Sequence, residues 1–195
     1  MKTYFKDKIT NFTAVLPVYN ESQRINSSLS FYTRICKNIL LVDNFSNDDT
    51  FAVAQKYSSL IKIVQINNCG TIETPEWFQQ IKRYIGTDFI FLASCSERVS
   101  PQLLFLLDYL ASTGSVDFVL SERKSLTGKQ PSDILYCRPK SLFSSKNYLP
   151  TVIRFLNISK LDVSQIYPHD AFKSHDLSNS LLITSPSDCY KIIHH

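Results

Sequence analysis

Two short polar clusters carry the side chains best suited to chemistry. The first is Pro17-Val18-Tyr19-Asn20-Glu21. It sets an aromatic face, an amide and a carboxylate side by side just after an apolar run. A purine or pyrimidine ring can stack on such a tyrosine. The second is Leu41-Val42-Asp43-Asn44-Phe45-Ser46-Asn47-Asp48-Asp49-Thr50. Its Asp43 carboxylate can accept a hydrogen bond from a base N–H. Both clusters fall where a strand hands over to a helix, and a helix N-terminus offers unpaired N–H groups to a phosphate. Taken singly, each reads as a turn, because Asn20, Ser46 and Asp48 are turn and capping residues. A third cluster, Ser94-Cys95-Ser96-Glu97-Arg98, follows another apolar run and holds one carboxylate, Glu97. Two further pairs, His169-Asp170 and His175-Asp176, offer a carboxylate beside an imidazole. Asp170 could take a proton from a hydroxyl, oriented by its neighbour. In a polar stretch such pairs also read as solvated loop.

The elements that must position these groups alternate. Apolar runs at 13–18, 39–42, 61–66, 89–92 and 116–120 predict five strands. Between them, Ile25, Leu29 and Tyr32 recur at helical spacing, which predicts a helix from Glu21 to about Cys36. Asp48 or Asp49 can cap a helix holding Ala52, Val53, Ala54 and Tyr57. Thr74-Pro75 opens another, with proline first and Glu76 near the positive end of its dipole. Trp77 and Phe78 on it read as core. Ser100-Pro101 caps a fourth helix reaching about Ala111. Strand and helix in this rhythm predict an α/β domain with a mostly parallel, Rossmann-like sheet and helices on both faces. Ligands of such sheets sit beyond the carboxyl ends of the strands. That places Tyr19, Asp43, Asn67 and Ser94 at the same edge. Past residue 125, five prolines break the rhythm. Residues 1–125 thus read as the α/β core and 126–195 as an irregular region of the same domain, with short strands and a helix near 152–158.

Composition excludes several classes. The chain has 195 residues, enough for one domain with a full core. Four glycines, none in the required spacing, cannot build a dinucleotide loop or a Walker loop. The net charge of +4 comes in no run or stripe, which argues against nucleic acid. Five widely spaced cysteines form no C-x-x-C pair, so they read as scattered reduced thiols rather than a zinc ribbon or a disulfide framework. The polar N-terminus has no apolar signal core and no run reaches spanning length, so a cytoplasmic protein is expected. The final His194-His195 reads as a natural end, a truncation or part of an affinity tag.

Together, the first two clusters resemble the opening of a family 2 glycosyltransferase of the GT-A nucleotide-sugar-binding fold. There a strand ends in P-x-Y-N-E and the next in V-D-D-x-S-x-D-x-T. The matches are Pro17, Tyr19, Asn20, Glu21, Val42, Asp43, Ser46, Asp48 and Thr50, with Asn44 in place of the second aspartate. The resemblance covers residues 12–125. It implies that Pro17, Tyr19, Glu21 and Ser46 line a nucleotide pocket and that Asp43 reads the base. It implies a UDP- or GDP-type sugar donor, a glycan or lipid-linked acceptor, inversion at the anomeric carbon and peripheral association with the inner face of a membrane. A nucleotidyltransferase is disfavoured by the lack of a glycine-rich loop after the first strand.

The family's D-x-D motif, whose carboxylates hold Mn²⁺ or Mg²⁺ on the diphosphate, is where this chain departs. Aligned from Leu92, Ala93 and Cys95 take the aspartate positions; aligned from Glu97, Ser94 and Ser96 do. Neutral hydroxyls and thiols are poor ligands for hard cations. Ser94, Cys95 and Ser96 are therefore expected near the diphosphate, with Glu97 the remaining carboxylate for catalysis or a metal. Three explanations stand. Arg98 or a nearby lysine neutralises the diphosphate without metal, Glu97 and substrate oxygens hold a metal weakly, or the chain is a non-catalytic relative serving as a binding or scaffold protein. The E-D pair that supplies the family's general base is also missing. Arg138-Pro139-Lys140-Ser141-Leu142-Phe143 is similar to an R-L-F-type segment of bacterial members.

Overall fold

The computed structural model describes residues 7–67, 75–125, 151–160, 180–183 and 192–194. The first half of the chain alternates as its pattern dictates: β1 (Ile9–Val18), α1 (Ile25–Ile35), β2 (Cys36–Asp43), α2 (Thr50–Gln55), β3 (Lys62–Gln65), α3 (Pro75–Lys82) and β4 (Phe89–Leu92). A short β5 (Glu97–Val99) and α4 (Pro101–Thr113) follow, then β6 (Phe118–Ser125), β7 (Thr151–Asn157), β8 (Ser180–Ile183) and β9 (Ile192–His194).

Residues 14–18, 39–42 and 89–92 of the central strands are continuously apolar because both faces of the sheet are covered there. Phe12, Ala14 and Leu16 of β1 pack with Leu29 and Tyr32 of α1 and Leu103, Leu104 and Leu107 of α4. The intervening Val15, with Leu40 and Val42 of β2, packs with Trp77, Phe78 and Ile81 of α3. Side chains alternate across a strand, so one run of sequence feeds two cores. Trp77 and Phe78 are fully buried, as expected, with their rings edge to face at 5.0 Å.

Strand order is β3-β2-β1-β4-β7-β6-β9-β5, with β8 also on β6. The first four strands are parallel. β7 runs antiparallel between β4 and β6. The chain leaves β1 for β2 on one side and later returns to β4 on the other, so the order reverses between β1 and β4. Such a reversal opens a crevice at the carboxyl ends of the strands.

Capping explains the boundaries. Ser100 accepts from the Leu103 N–H at 3.1 Å at the start of α4, and Gly114, at φ 60°, ends it in the left-handed conformation. α1 starts four residues later than its spacing predicts, since residues 22–24 form a turn in which the Glu21 carbonyl accepts from the Arg24 and Ile25 N–H groups. Cys36 turns to extended backbone directly after α1, so β2 begins without a loop. It is buried, and burial pushes its thiol up to about 12. Cys69, Cys137 and Cys189 lie outside the described residues.

Two expectations fail. The helix expected near 152–158 is strand β7. Its Thr151, Val152 and Ile153 are β-branched, and residues 155–156 are buried on opposite faces of the sheet, which hides the alternation of an ordinary strand. β5 was not expected at all. It is short and pairs with β9, which lies far along the chain.

Candidate functional site

The strands end level. Val18 pairs with Asp43, and Asp43 with Gln65, so these residues form one row across β1, β2 and β3. β1 and β4 stay paired only as far as Val15, whose carbonyl accepts from the Ala93 N–H at 2.8 Å. Pro17, two residues on, points its N-side the same way, toward a neighbour that has already diverged. Its missing N–H therefore costs no ladder bond.

The loops after β1 and β2 are sewn together. Asn20 N–H donates to Ser46 Oγ at 3.0 Å, Glu21 N–H to Thr50 Oγ1 at 2.7 Å and Ser22 N–H to an Asp48 carboxylate oxygen at 3.1 Å. In return Asn47 N–H donates to Asn20 Oδ1 at 2.8 Å. Asp48 also accepts from the Thr50 hydroxyl and N–H, and these bonds, the hydroxyl foremost, hold its carboxyl well below the usual range. Asp48 thus serves the start of α2, while Asp49, at the cap position, makes no side-chain cap bond. Asn20 and Phe45 both adopt φ 53°, ordinary for asparagine and costly for phenylalanine. The bonds flanking Phe45, from Asn44 N–H to Val18 O and from Ser46 N–H to Asp43, fix that turn.

Within this frame the expected residues separate by role. Tyr19 is 52% exposed and presents its ring at the end of β1. Asp43 is fully buried, and its carboxylate accepts from Ser46 Oγ at 2.5 Å and Gln65 Nε2 at 2.9 Å. Ser46 gives its proton to Asp43 and its lone pair to Asn20, so it braces the two loops. Glu21 is partly buried and accepts from Arg24 Nε at 2.7 Å. Pro17 is half-buried within β1. Gln65 escaped the sequence reading, because only the strand register brings it to Asp43.

The third cluster forms the far wall of a cleft at the reversal between β1 and β4. The cleft has a volume of about 380 Å³. Gln23, Arg24, Ser27 and Ser28, in and just before α1, line one side, residues 95–99 line the other, and Phe31 and Tyr32 help line the apolar part. Cys95 is half-buried, and burial pushes its thiol up to about 11 against a lowering hydrogen bond with Ser28. Ser94 and Ser96 share a hydroxyl–hydroxyl hydrogen bond of 2.9 Å. Glu97 is 6% exposed, and Arg98 beside it is exposed. The α1 side of this cleft carried no sequence signal.

A divalent cation does not fit the end of β4. Ser94 and Ser96 are neutral hydroxyls bonded to each other, and Glu97 is the lone carboxylate of the segment. Among the described residues no three His, Cys, Asp or Glu side chains converge. Asp170, Asp176 and the 138–143 segment lie outside the described residues. Among the described residues no helix is long and apolar enough to cross a membrane.

The sheet order, its antiparallel β7 and the polar edge define an α/β protein of the GT-A nucleotide-sugar-binding fold. Solved structures share it. S. aureus TarS, residues 1–349, superposes with a TM-score of 0.62 at 15% identity over 89% of this chain and 58% of that one. The same protein in complex with UDP-GlcNAc gives 0.58 at 17% identity, over 80% of this chain and 48% of that one. A mycobacterial protein gives 0.63 at 14% identity, over 95% and 67%. At these identities the likeness is one of fold, and this chain spans little more than half of TarS 1–349. No protein-family model matches the chain, and no curated protein matches it in sequence.

Proposed function

We propose that this chain is the donor-binding part of a glycosyltransferase. It transfers a sugar, with inversion, from a UDP- or GDP-type donor to a glycan or lipid-linked acceptor, at the inner face of a membrane. The observation that carries the reading is the pairing of an exposed ring, Tyr19, with a braced carboxylate, Asp43, on neighbouring strand ends of a GT-A sheet. In this reading Tyr19 stacks on the base, and Asp43 accepts its N–H once the turn at 44–46 shifts to uncover the buried carboxylate. Pro17, Glu21 and Ser46 shape the pocket. Ser94, Cys95 and Ser96 lie along the diphosphate, and Glu97 and Asp170 are the carboxylates offered for catalysis. That TarS, which shares the fold, was solved with UDP-GlcNAc supports testing uridine donors first.

Tyr19→Ala is the cleaner test. The residue is exposed, so its loss leaves the core intact, whereas Asp43→Ala removes the buried acceptor of the Gln65 amide and the Ser46 hydroxyl. Calorimetric titration with UDP, then GDP, should show binding to the native chain. Removing a stacking partner should weaken it by about 10- to 100-fold. Absence of binding to either nucleotide, with or without Mn²⁺, overturns the reading.

The hydroxyls at the end of β4 favour a second reading: a donor-binding or scaffold protein without turnover. Sugar release that depends on Glu97 would eliminate it.

A further inference from the structure

The cleft at the β1–β4 reversal contains two guanidinium groups, Arg24 from the turn before α1 and Arg98 from β5. Arg24 is oriented. Its Nε donates to Glu21 at 2.7 Å, which leaves its two terminal nitrogens for another acceptor. Glu21 in turn is tied through its N–H to Thr50, so the guanidinium is anchored to the loops that carry Tyr19 and Asp43. Arg98 is exposed on the opposite wall, next to Ser96. Glu21 balances Arg24 through that ion pair, and Glu97 brings a second carboxylate to the opposite wall. The hydroxyls of Ser94 and Ser96 add no negative charge of their own.

The neutrality of these hydroxyls decides the electrostatics. A pair of carboxylates at the end of β4 would need a divalent cation before a diphosphate could approach. Two neutral hydroxyls need none. Taking away two negative charges and one doubly positive ion leaves the net charge of the cleft unchanged. The remaining donors are guanidiniums, whose planar forks match phosphate oxygens in a bidentate way.

We propose that Arg24 and Arg98 hold the donor's diphosphate in this cleft, in the place of a divalent metal ion. The inference rests on the donor-binding reading above. No bond is made or broken in this step: the arginines bind charge, and their pull grows as the diphosphate takes up the electrons of the departing sugar bond.

Comparing UDP with uridine, and GDP with guanosine, isolates the diphosphate from the base. In EDTA the native chain should bind the diphosphate at least about tenfold more tightly than the matching nucleoside, as expected for charge-assisted hydrogen bonds. Added Mn²⁺ should leave that ratio within about twofold, against the tenfold step that one such bond supplies. Arg24→Ala/Arg98→Ala should bring the ratio close to unity while nucleoside affinity stays at the native value. Both side chains are exposed, and retained nucleoside binding reports an intact fold. A ratio that appears only with Mn²⁺, or one that survives in the double variant, overturns the proposal and leaves the donor reading standing. Loss of binding by nucleoside and nucleotide alike, in the native chain, overturns both.

Discussion

At the scale of single residues, the two polar clusters are mostly carpentry. Asn20, Ser46, Asp48 and Thr50 spend their hydrogen bonds on one another's loops, and what they leave exposed are the rings of Tyr19 and Phe45. Asp48 offers a direct check on this clasp. Its native carboxyl lies below the unfolded range, so the charged form favours the folded chain. Its contribution is therefore present above about pH 4, the unfolded value, and fades as pH falls through that range toward the lower native value. Asp48→Asn should melt below the native chain at pH 7, and the gap should narrow on acidification. Melting curves from pH 7 to pH 3 would show it, and a gap independent of pH would mean that the charge plays no part. The types and spacing of these residues were legible in the sequence. Their partners were not, because a bond such as Gln65 to Asp43 exists only through strand register.

Whole elements were legible where their pattern is local. The strands ending at Val18 and Asp43, and helices α1, α3 and α4, follow from apolar spacing and caps. β5 and β7 do not, because their partners lie far away in the chain. β7 brings Phe155 into a ring cluster, 5.5 Å from Phe12 edge to face and 5.2 Å from Phe89 stacked. The next residue, Leu156, faces the α3 core with Ile90 and Leu92. Both are essentially inaccessible to solvent. Phe155→Ala and Leu156→Ala should each cost about 2–5 kcal/mol, since either leaves a cavity in a packed layer. Urea unfolding measures both. A large loss at one position and a small one at the other would mean that β7 is covered on a single face, like an edge strand.

The whole molecule follows from where β7 sits. The sequence divides at residue 125, since the rhythm of strand and helix stops there, yet the sheet does not. β7 stands between β4 and β6, so the segment after residue 125 supplies an interior strand to the sheet built before it. β9 likewise joins β6 to β5, the short strand that continues the wall of the cleft. A chain ending at residue 125 would leave β4 with an unpaired edge, leave Phe12 and Phe89 without Phe155, and leave β6 with no strand beside it. Main-chain groups exposed along such an edge need water or a partner, and an apolar edge recruits other chains. The shortened chain should therefore lose its cooperative melt and associate, read by calorimetry and by light scattering. A monomer melting within about 4 °C of the full chain, equivalent to roughly 1 kcal/mol at this size, would show that the parallel half folds alone. The cleft would then owe its wall to local turns, and the later strands would serve some other part of the molecule.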